Sequence, residues 1–366
     1  MKFDIDIPPV IRFGRKCRFA LPSLLPEGPL LFICGKHAVP RIEKEMLPLL
    51  SGREVYIRCG FKGEPHLDEV EELLAFARSK QIKAVAGWGG GSAMDGAKAV
   101  AALLPETAPV ADFFYNRAAA QDRRIYLILL PTTAGTGAEI TANAVLTDAG
   151  SGIKQSLRTA GMAADAALVD PELVQECPSS VMAASGFDAL TQAMESFISL
   201  KANALTRSLS RSAVRDIFLN LSRACAHDEK AVDAVTLGCL NAAVAFSRSG
   251  LGAVHGVGHP VGSLLSVPHG IACAVLLTEV LRFNAPVCGE ALDELAVTAG
   301  LADAEELIAQ TELLRKELQI PADFKPYGLN KTHYPFIIQN CRSGSMKCNP
   351  RSMSDAQVAE LLEKLS

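Results

Sequence analysis

The chain has 366 residues, 49% of them apolar and 21% charged, with a mean hydropathy of +0.20; at roughly 100 to 200 residues per domain it holds about two domains with a sizeable core, which excludes intrinsic disorder. Lys and Arg number 36 against 40 Asp and Glu, a net charge of −4, so no basic field exists for phosphate backbones or anionic lipid, and neither nucleic acid nor a membrane is expected as a partner. Ten cysteines without a Cys-x-x-Cys pair read as reduced, buried thiols of a cytoplasmic protein, and the acidic start Met1-Lys-Phe-Asp-Ile-Asp does not read as an export signal.

Short apolar runs alternate with helical patterns through the first half, the mark of a parallel sheet with crossover helices. Pro29 to Gly35 reads as a strand, Val39 to Leu50 as a helix, and Glu54 to Cys59 as a second strand. His66 to Lys80 reads as a helix with Val70, Leu73, Leu74 and Phe76 on one side; Lys83 to Trp88 and Ile125 to Leu130 supply further strands. Beyond Cys177-Pro178-Ser179-Ser180, where proline and serines suit a helix start, the pattern turns to long helices: Ser179 to Leu200, Ala204 to Cys225, Glu229 to Phe246 and more. Arg342 to Arg351 reads as a loop before a last helix, Asp355 to Leu365. The expectation is an α/β domain over residues 1–177 and an all-helical one over 178–366.

Two glycine-rich turns mark the first domain. Gly89-Gly90-Gly91-Ser92-Ala93-Met94-Asp95 follows a strand and opens a helix, where backbone amides and the helix N-terminus favour a pyrophosphate. Taken alone, such a run is as often a plain strand-to-helix turn. The second turn, Pro131-Thr132-Thr133-Ala134-Gly135-Thr136-Gly137-Ala138-Glu139, places hydroxyls at a strand's carboxyl end, where doubly wound sheets bind nucleotides.

The second half carries a different chemistry. Only 7 histidines occur, yet His255, His259 and His269 fall in one window, and Ser249 to Thr278 contains no charged residue. Its length would permit a membrane span, but three histidines, Pro260, Pro268 and six glycines are ill suited to hydrocarbon, so it reads as buried interior. Asp188 and Gln192 share one helix face, and His255 and His259 another. A carboxylate with imidazoles from separate helices suits a divalent cation such as Fe2+ or Zn2+.

Together these motifs, with Asp-Ala-Leu-Thr at 188 to 191, His255-Gly-Val-Gly-His259-Pro and Pro268-His269-Gly270, resemble the iron-containing (group III) alcohol dehydrogenase family from about Arg12 to Arg351. The resemblance implies a dehydroquinate synthase-like fold, in which a dinucleotide-binding domain precedes a helical domain that binds metal and substrate. It implies hydride transfer between NAD(P)(H) and a small alcohol or aldehyde, and a homodimer or larger homo-oligomer. Residue by residue, it implies that Gly90, Gly91 and Ser92 hold the pyrophosphate beside Asp95, that Thr132, Thr133 and Thr136 line the cofactor, and that Lys154 nears its ribose. Asn143 and Phe246 would flank nicotinamide and substrate, Asp188, residue 192, His255 and His269 would bind metal, and His259 would relay protons.

Three departures stand out. Residue 192 is Gln where the resemblance implies His, which leaves a three-ligand site of Asp188, His255 and His269 with Gln192 as a loose fourth ligand or a hydrogen-bond donor to water, and weakens the case for iron. The segment Phe32-Ile33-Cys34-Gly35-Lys36-His37 lacks the acidic residue that favours NAD, so NADP(H) is expected to be tolerated or preferred, with Gly35 and Lys36 at the phosphate. Arg248 either binds an acidic substrate group or, as the favoured reading, complements a helix C-terminus. A lyase resembling dehydroquinate synthase and a metal-depleted binding protein are the alternatives.

Overall fold

The computed structural model describes residues 7–61, 63–121 and 125–366. Among the described residues eight strands occur: β1 (Val10–Phe13), β2 (Leu30–Cys34), β3 (Val55–Cys59), β4 (Ala84–Gly89), β5 (Tyr126–Pro131), β6 (Asn143–Asp148), β7 (Ile153–Arg158) and β8 (Ala166–Val169). Six form an all-parallel sheet in the order β1-β8-β5-β4-β2-β3, while β6 and β7 pair antiparallel. Every residue of β2, β4 and β8 is buried, which is why these strands read as unbroken apolar runs: a parallel sheet is covered on both faces. One face packs on α1 (Leu67–Ser79) and α2 (Gly91–Leu103), with Val70, Leu74, Met94 and Val100 beside Leu31, Val85 and Leu129; the other buries Phe32, Trp88, Ile128 and Leu168. The register brings Gly89, at the end of β4, opposite Pro131 at the end of β5, so the two glycine-rich turns leave the sheet side by side.

Four local expectations need correction. Val39 to Leu50 is not one helix: helical, π and 3-10 turns succeed one another over Val39–Arg41, Ile42–Met46 and Leu47–Leu50, because Pro48 has no N–H to bond back to the preceding turn. Ala204 to Cys225 breaks after Phe218, where the Asn220 side chain donates to the Asp216 carbonyl in place of continuing the helix. β1 and β8 escape the pattern because each has four residues, and alanine-rich β8 has little strand propensity. All ten cysteines are free, but Cys59 is exposed and Cys17, Cys225 and Cys288 are half-buried.

The chain divides into two compact units. One comprises the described residues through Thr133 with Ala138–Glu176; the other comprises Ala134–Gly137 and Cys177–Ser366. The second unit contains α3 (Ser179–Ile198), α4 (Ala204–Phe218), α5 (Glu229–Ser249), α6 (Ala253–Leu265), α7 (His269–Thr298), α8 (Ala304–Glu317) and α9 (Asp355–Lys364). α3 packs against α4, α5 and α7 and is buried without interruption from Gly186 to Ile198. α5 and α7 are long and apolar enough to cross a membrane, and 56% of the most apolar window of each is buried inside this unit. The chargeless window is interior over Ala253 to Gly258 and Ala272 to Thr278, yet Ser263, Leu264, Ser266 and Pro268 are exposed, so it includes a surface turn.

In the α/β unit a buried arginine ties β1 to β8. Arg18 donates to Asp170, which is fully buried, and to Glu45 and Glu172, each at 2.7 Å; these carboxylates outweigh the burial that would lower its pKa and raise it. Removing one partner of a buried pair strands the other charge, at about 3–5 kcal/mol. Arg18→Leu is therefore expected to lower the stability of this unit by that amount in denaturant unfolding, and a loss below about 1 kcal/mol would contradict the assignment.

Candidate metal centre

A helix buried on all sides is expected to be apolar throughout. α3 is not: Asp188, Gln192 and Glu195 lie at i, i+4 and i+7, one stripe of its surface, and each is at most 3% exposed. The stripe faces the start of α6. Glu195 accepts from the Val254 amide and from His255 Nδ1, both at 2.6 Å, and Asn349 accepts from the Ala253 amide at 3.1 Å. Asn349 is itself held by a reciprocal pair of hydrogen bonds with Asn284. With Nδ1–H committed to Glu195, His255 presents Nε2 as a lone-pair donor.

α7 begins at His269, against α3. A side chain at Gly270 would place its Cβ 2.0 Å from the Ala184 carbonyl oxygen, so only glycine allows this approach. His255 Nε2 lies 3.3 Å and His269 Nε2 3.6 Å from Asp188 Oδ1. One turn along α7, Cys273 Sγ is 3.6 Å from His269 Nε2 and 3.7 Å from Asp188 Oδ1. The four ligand atoms lie within 4.8 Å of one another; Asp188, His255 and Cys273 are buried, and the His269 side chain is 31% exposed.

Charge in this cluster is mutually supported. Burial opposes the ionised form of Asp188, but His269 and His255 outweigh it and hold the carboxyl below its usual range, with a hydrogen bond from the Gln192 amide. Burial lowers both histidines, while Cys273 with Glu195 and Asp188 raises His255, and Cys273 with Asp188 raises His269. Cys273 is pushed up by burial and brought down further by the two imidazoles, toward the thiolate. Oxygen, nitrogen and sulfur donors converging from three helices fit a divalent cation. Gln192 Oε1 is buried without a hydrogen-bond partner, a further acceptor at the same place.

Asp188, His255 and His269 are thus brought together as the resemblance implied, with Gln192 beside them donating to Asp188. His259 is exposed, its ring centroid 5.1 Å from that of His269 and 6.0 Å from that of His255. Phe246 is half-buried in α5 and packs over Gly137, whose positive φ of 60° is open to glycine. Arg248 occupies the last turn of α5, the position of the helix C-terminus reading. In the α/β unit Gly90 caps α2, Gly91 and Ser92 form its first turn, and Thr133 lies beside Gly90; Thr132 donates to the Gly89 carbonyl. Asp95 is tied to Lys98 at 2.8 Å and to the Val145 amide, joining α2 to β6. Asn143 donates to Ser156, Lys154 pairs with Glu64 at 2.5 Å, and Gly35, Lys36 and Thr136 are exposed. Glu195 and Cys273 were missed from the sequence, although each stands at helical spacing from a chosen residue.

Residues 8–171 match the iron-containing alcohol dehydrogenase family, and residues 182–366 match the C-terminal domain of the Fe-containing alcohol dehydrogenase family. The probable alcohol dehydrogenase EutG of Escherichia coli is 35% identical over 304 residues, 82% of this chain and 77% of that protein. The 1-propanol dehydrogenase PduQ of Salmonella typhimurium is 32% identical over 82% of this chain and 83% of its own. The structure of sulfoacetaldehyde reductase from Bifidobacterium kashiwanohense in complex with NAD+ superposes with a TM-score of 0.93 at 27% identity, covering 100% of this chain and 99% of that one.

Because raised imidazole pKa values favour imidazolium in the metal-free cluster, and a metal needs neutral imidazole, Zn2+ affinity is expected to rise with pH, with protons released on binding; calorimetry in buffers of different ionisation enthalpy reads both. Glu195→Gln removes the carboxylate behind His255 and is expected to weaken Zn2+ binding about 10- to 100-fold. Unchanged affinity would show that Glu195 does not orient the ligand.

Proposed function

We propose that this chain, which belongs to the iron-containing alcohol dehydrogenase family, is a metal-dependent NAD(P) oxidoreductase that interconverts small alcohols with their aldehydes or ketones. The observation that carries the reading is the convergence of Asp188, His255 and His269 on one point inside the helical unit. The activities named for EutG, PduQ and the sulfoacetaldehyde reductase support the reaction class, and the NAD+ in the last of these supports the cofactor. The named activities of these relatives favour neither a lyase nor a metal-depleted binding protein.

A divalent ion held by these residues would supply Lewis acidity at the substrate oxygen, and a nicotinamide would supply or accept the hydride. The chain's own residues do the rest. Glu195 fixes the tautomer of His255, and Gln192 steadies Asp188. His259, exposed and one ring away from His269, carries the proton between substrate and solvent. Gly90, Gly91 and Ser92 offer the amides of a 13-residue helix to a pyrophosphate, with Thr132, Thr133 and Thr136 lining the cofactor, Lys154 near its ribose and Asn143 and Phe246 flanking nicotinamide and substrate. Lys36, exposed just past β2, suits a 2′-phosphate, so NADPH is used at least as well as NADH. Free thiols throughout support a cytoplasmic protein, and the family supports a homodimer or larger homo-oligomer.

A screen of short aldehydes with NADH and NADPH, in the presence of Zn2+ or Fe2+, is expected to show loss of reduced-nicotinamide absorbance. His259→Gln should lower kcat/KM about 100-fold or more. Lack of turnover with every aldehyde under metal-loaded conditions would refute the reading, and a strong NADH preference would refute the role of Lys36.

A further inference from the structure

The metal centre contains a sulfur that the sequence motifs did not announce. Resting on the metal-dependent reading above, we propose that Cys273 binds the metal as a thiolate, completing a tetrahedron with Asp188, His255 and His269 and biasing the site toward zinc over iron.

The distances carry the proposal. Around a tetrahedral zinc, with bonds of about 2.0–2.1 Å to nitrogen or oxygen and about 2.3 Å to sulfur, the ligand atoms stand about 3.3–3.4 Å apart for nitrogen and oxygen pairs and about 3.6 Å apart where sulfur is one of the pair. Here Asp188 Oδ1 is 3.3 Å from His255 Nε2 and 3.6 Å from His269 Nε2. Cys273 Sγ stands 3.6 Å from His269 Nε2, 3.7 Å from Asp188 Oδ1 and 3.9 Å from His255 Nε2. A thiol that served only as a hydrogen-bond donor would favour one acceptor, and a packing thiol would have no reason to keep near-equal distances to three. These five separations instead trace five of the six edges of one coordination polyhedron, the sixth, between the two imidazole nitrogens, being at most 4.8 Å.

Local structure explains the placement. His269 and Cys273 are four apart on α7, so their side chains project from adjacent turns of one face. Gly270, between them, lets α7 approach α3 closely enough for both to reach Asp188. Position 192 offers an amide in place of an imidazole, and that amide donates to Asp188. The site therefore lacks one nitrogen and has one sulfur. On binding, the thiol proton leaves to solvent, and Asp188 and Cys273 together neutralise a divalent ion in a buried place. Thiolate is a soft ligand that selects zinc over harder partners, and a zinc held by all four residues would take up substrate oxygen by expanding its coordination.

The test strips the full-length protein with a chelator and reloads it with Co2+, a spectroscopic stand-in for zinc. A near-ultraviolet thiolate-to-cobalt charge-transfer band is expected in the native protein and in Gln192→Ala, and is expected to vanish in Cys273→Ser. Zn2+ affinity should fall roughly tenfold or more in Cys273→Ser, since even outer partners of ligands cost 10- to 100-fold. Should the variant fail to fold, the native protein alone suffices: Zn2+ should slow alkylation of Cys273 by iodoacetamide at least tenfold, read by peptide mass spectrometry. One cobalt per chain without a sulfur band, a band that survives Cys273→Ser, or alkylation unaffected by Zn2+ would overturn this assignment while leaving the Asp188, His255 and His269 reading intact. Failure to retain Co2+ or Zn2+ at all would overturn both.

Discussion

A helix buried on every side cannot carry charge unless that charge is answered nearby, and α3 carries two carboxylates, Asp188 and Glu195, one turn on either side of Gln192. The geometry of the helical unit follows from answering them. Glu195 takes the Val254 amide in the first turn of α6 and the far nitrogen of His255, so the same carboxylate anchors the helix and aims its imidazole. Asp188 faces His255, His269 and Cys273, and no arrangement of α6 and α7 that moved them away would leave it paired. The buried polar stripe specifies one packing of three helices, and that packing creates the metal centre.

The α/β unit reaches its site by another route. Its parallel strands are buried on both faces, and the register that sets Gly89 opposite Pro131 brings both glycine-rich turns to one end of the sheet. Asp95 shows how little of such a site is pure binding surface: it sits in the turn after the glycines, yet its carboxylate is committed to Lys98 and the Val145 amide. It joins α2 to the β6–β7 hairpin, and its contribution is to hold the helix that the glycines open.

Much of this was legible in the sequence because strong periodicities report buried faces. The strands β2 to β5 and the helices from Ser179 onward announced themselves, and the resemblance singled out Asp188, His255 and His269. What escaped had weak or contrary local signals. β1 and β8 are too short, and the segment after Val39 is broken by proline. Nothing in the local pattern around Glu195 distinguishes it from a solvent-facing acid, and only the burial of α3 makes it a partner for His255. Cys273 was one of ten cysteines with no pairing motif; its meaning lies in three atoms contributed by two other helices and by the turn before it. The departure at Gln192 was visible, but whether it emptied the site depended on a residue 81 positions away.

The account stands or falls on whether the four atoms enclose an ion. Crystals of the protein grown with Zn2+ and measured across the zinc absorption edge give the most direct answer. The account predicts a single strong anomalous peak per chain, bounded by Asp188 Oδ1, His255 Nε2, His269 Nε2 and Cys273 Sγ. A metal-loaded crystal with no peak there, or with its strongest peak at other residues, would contradict it.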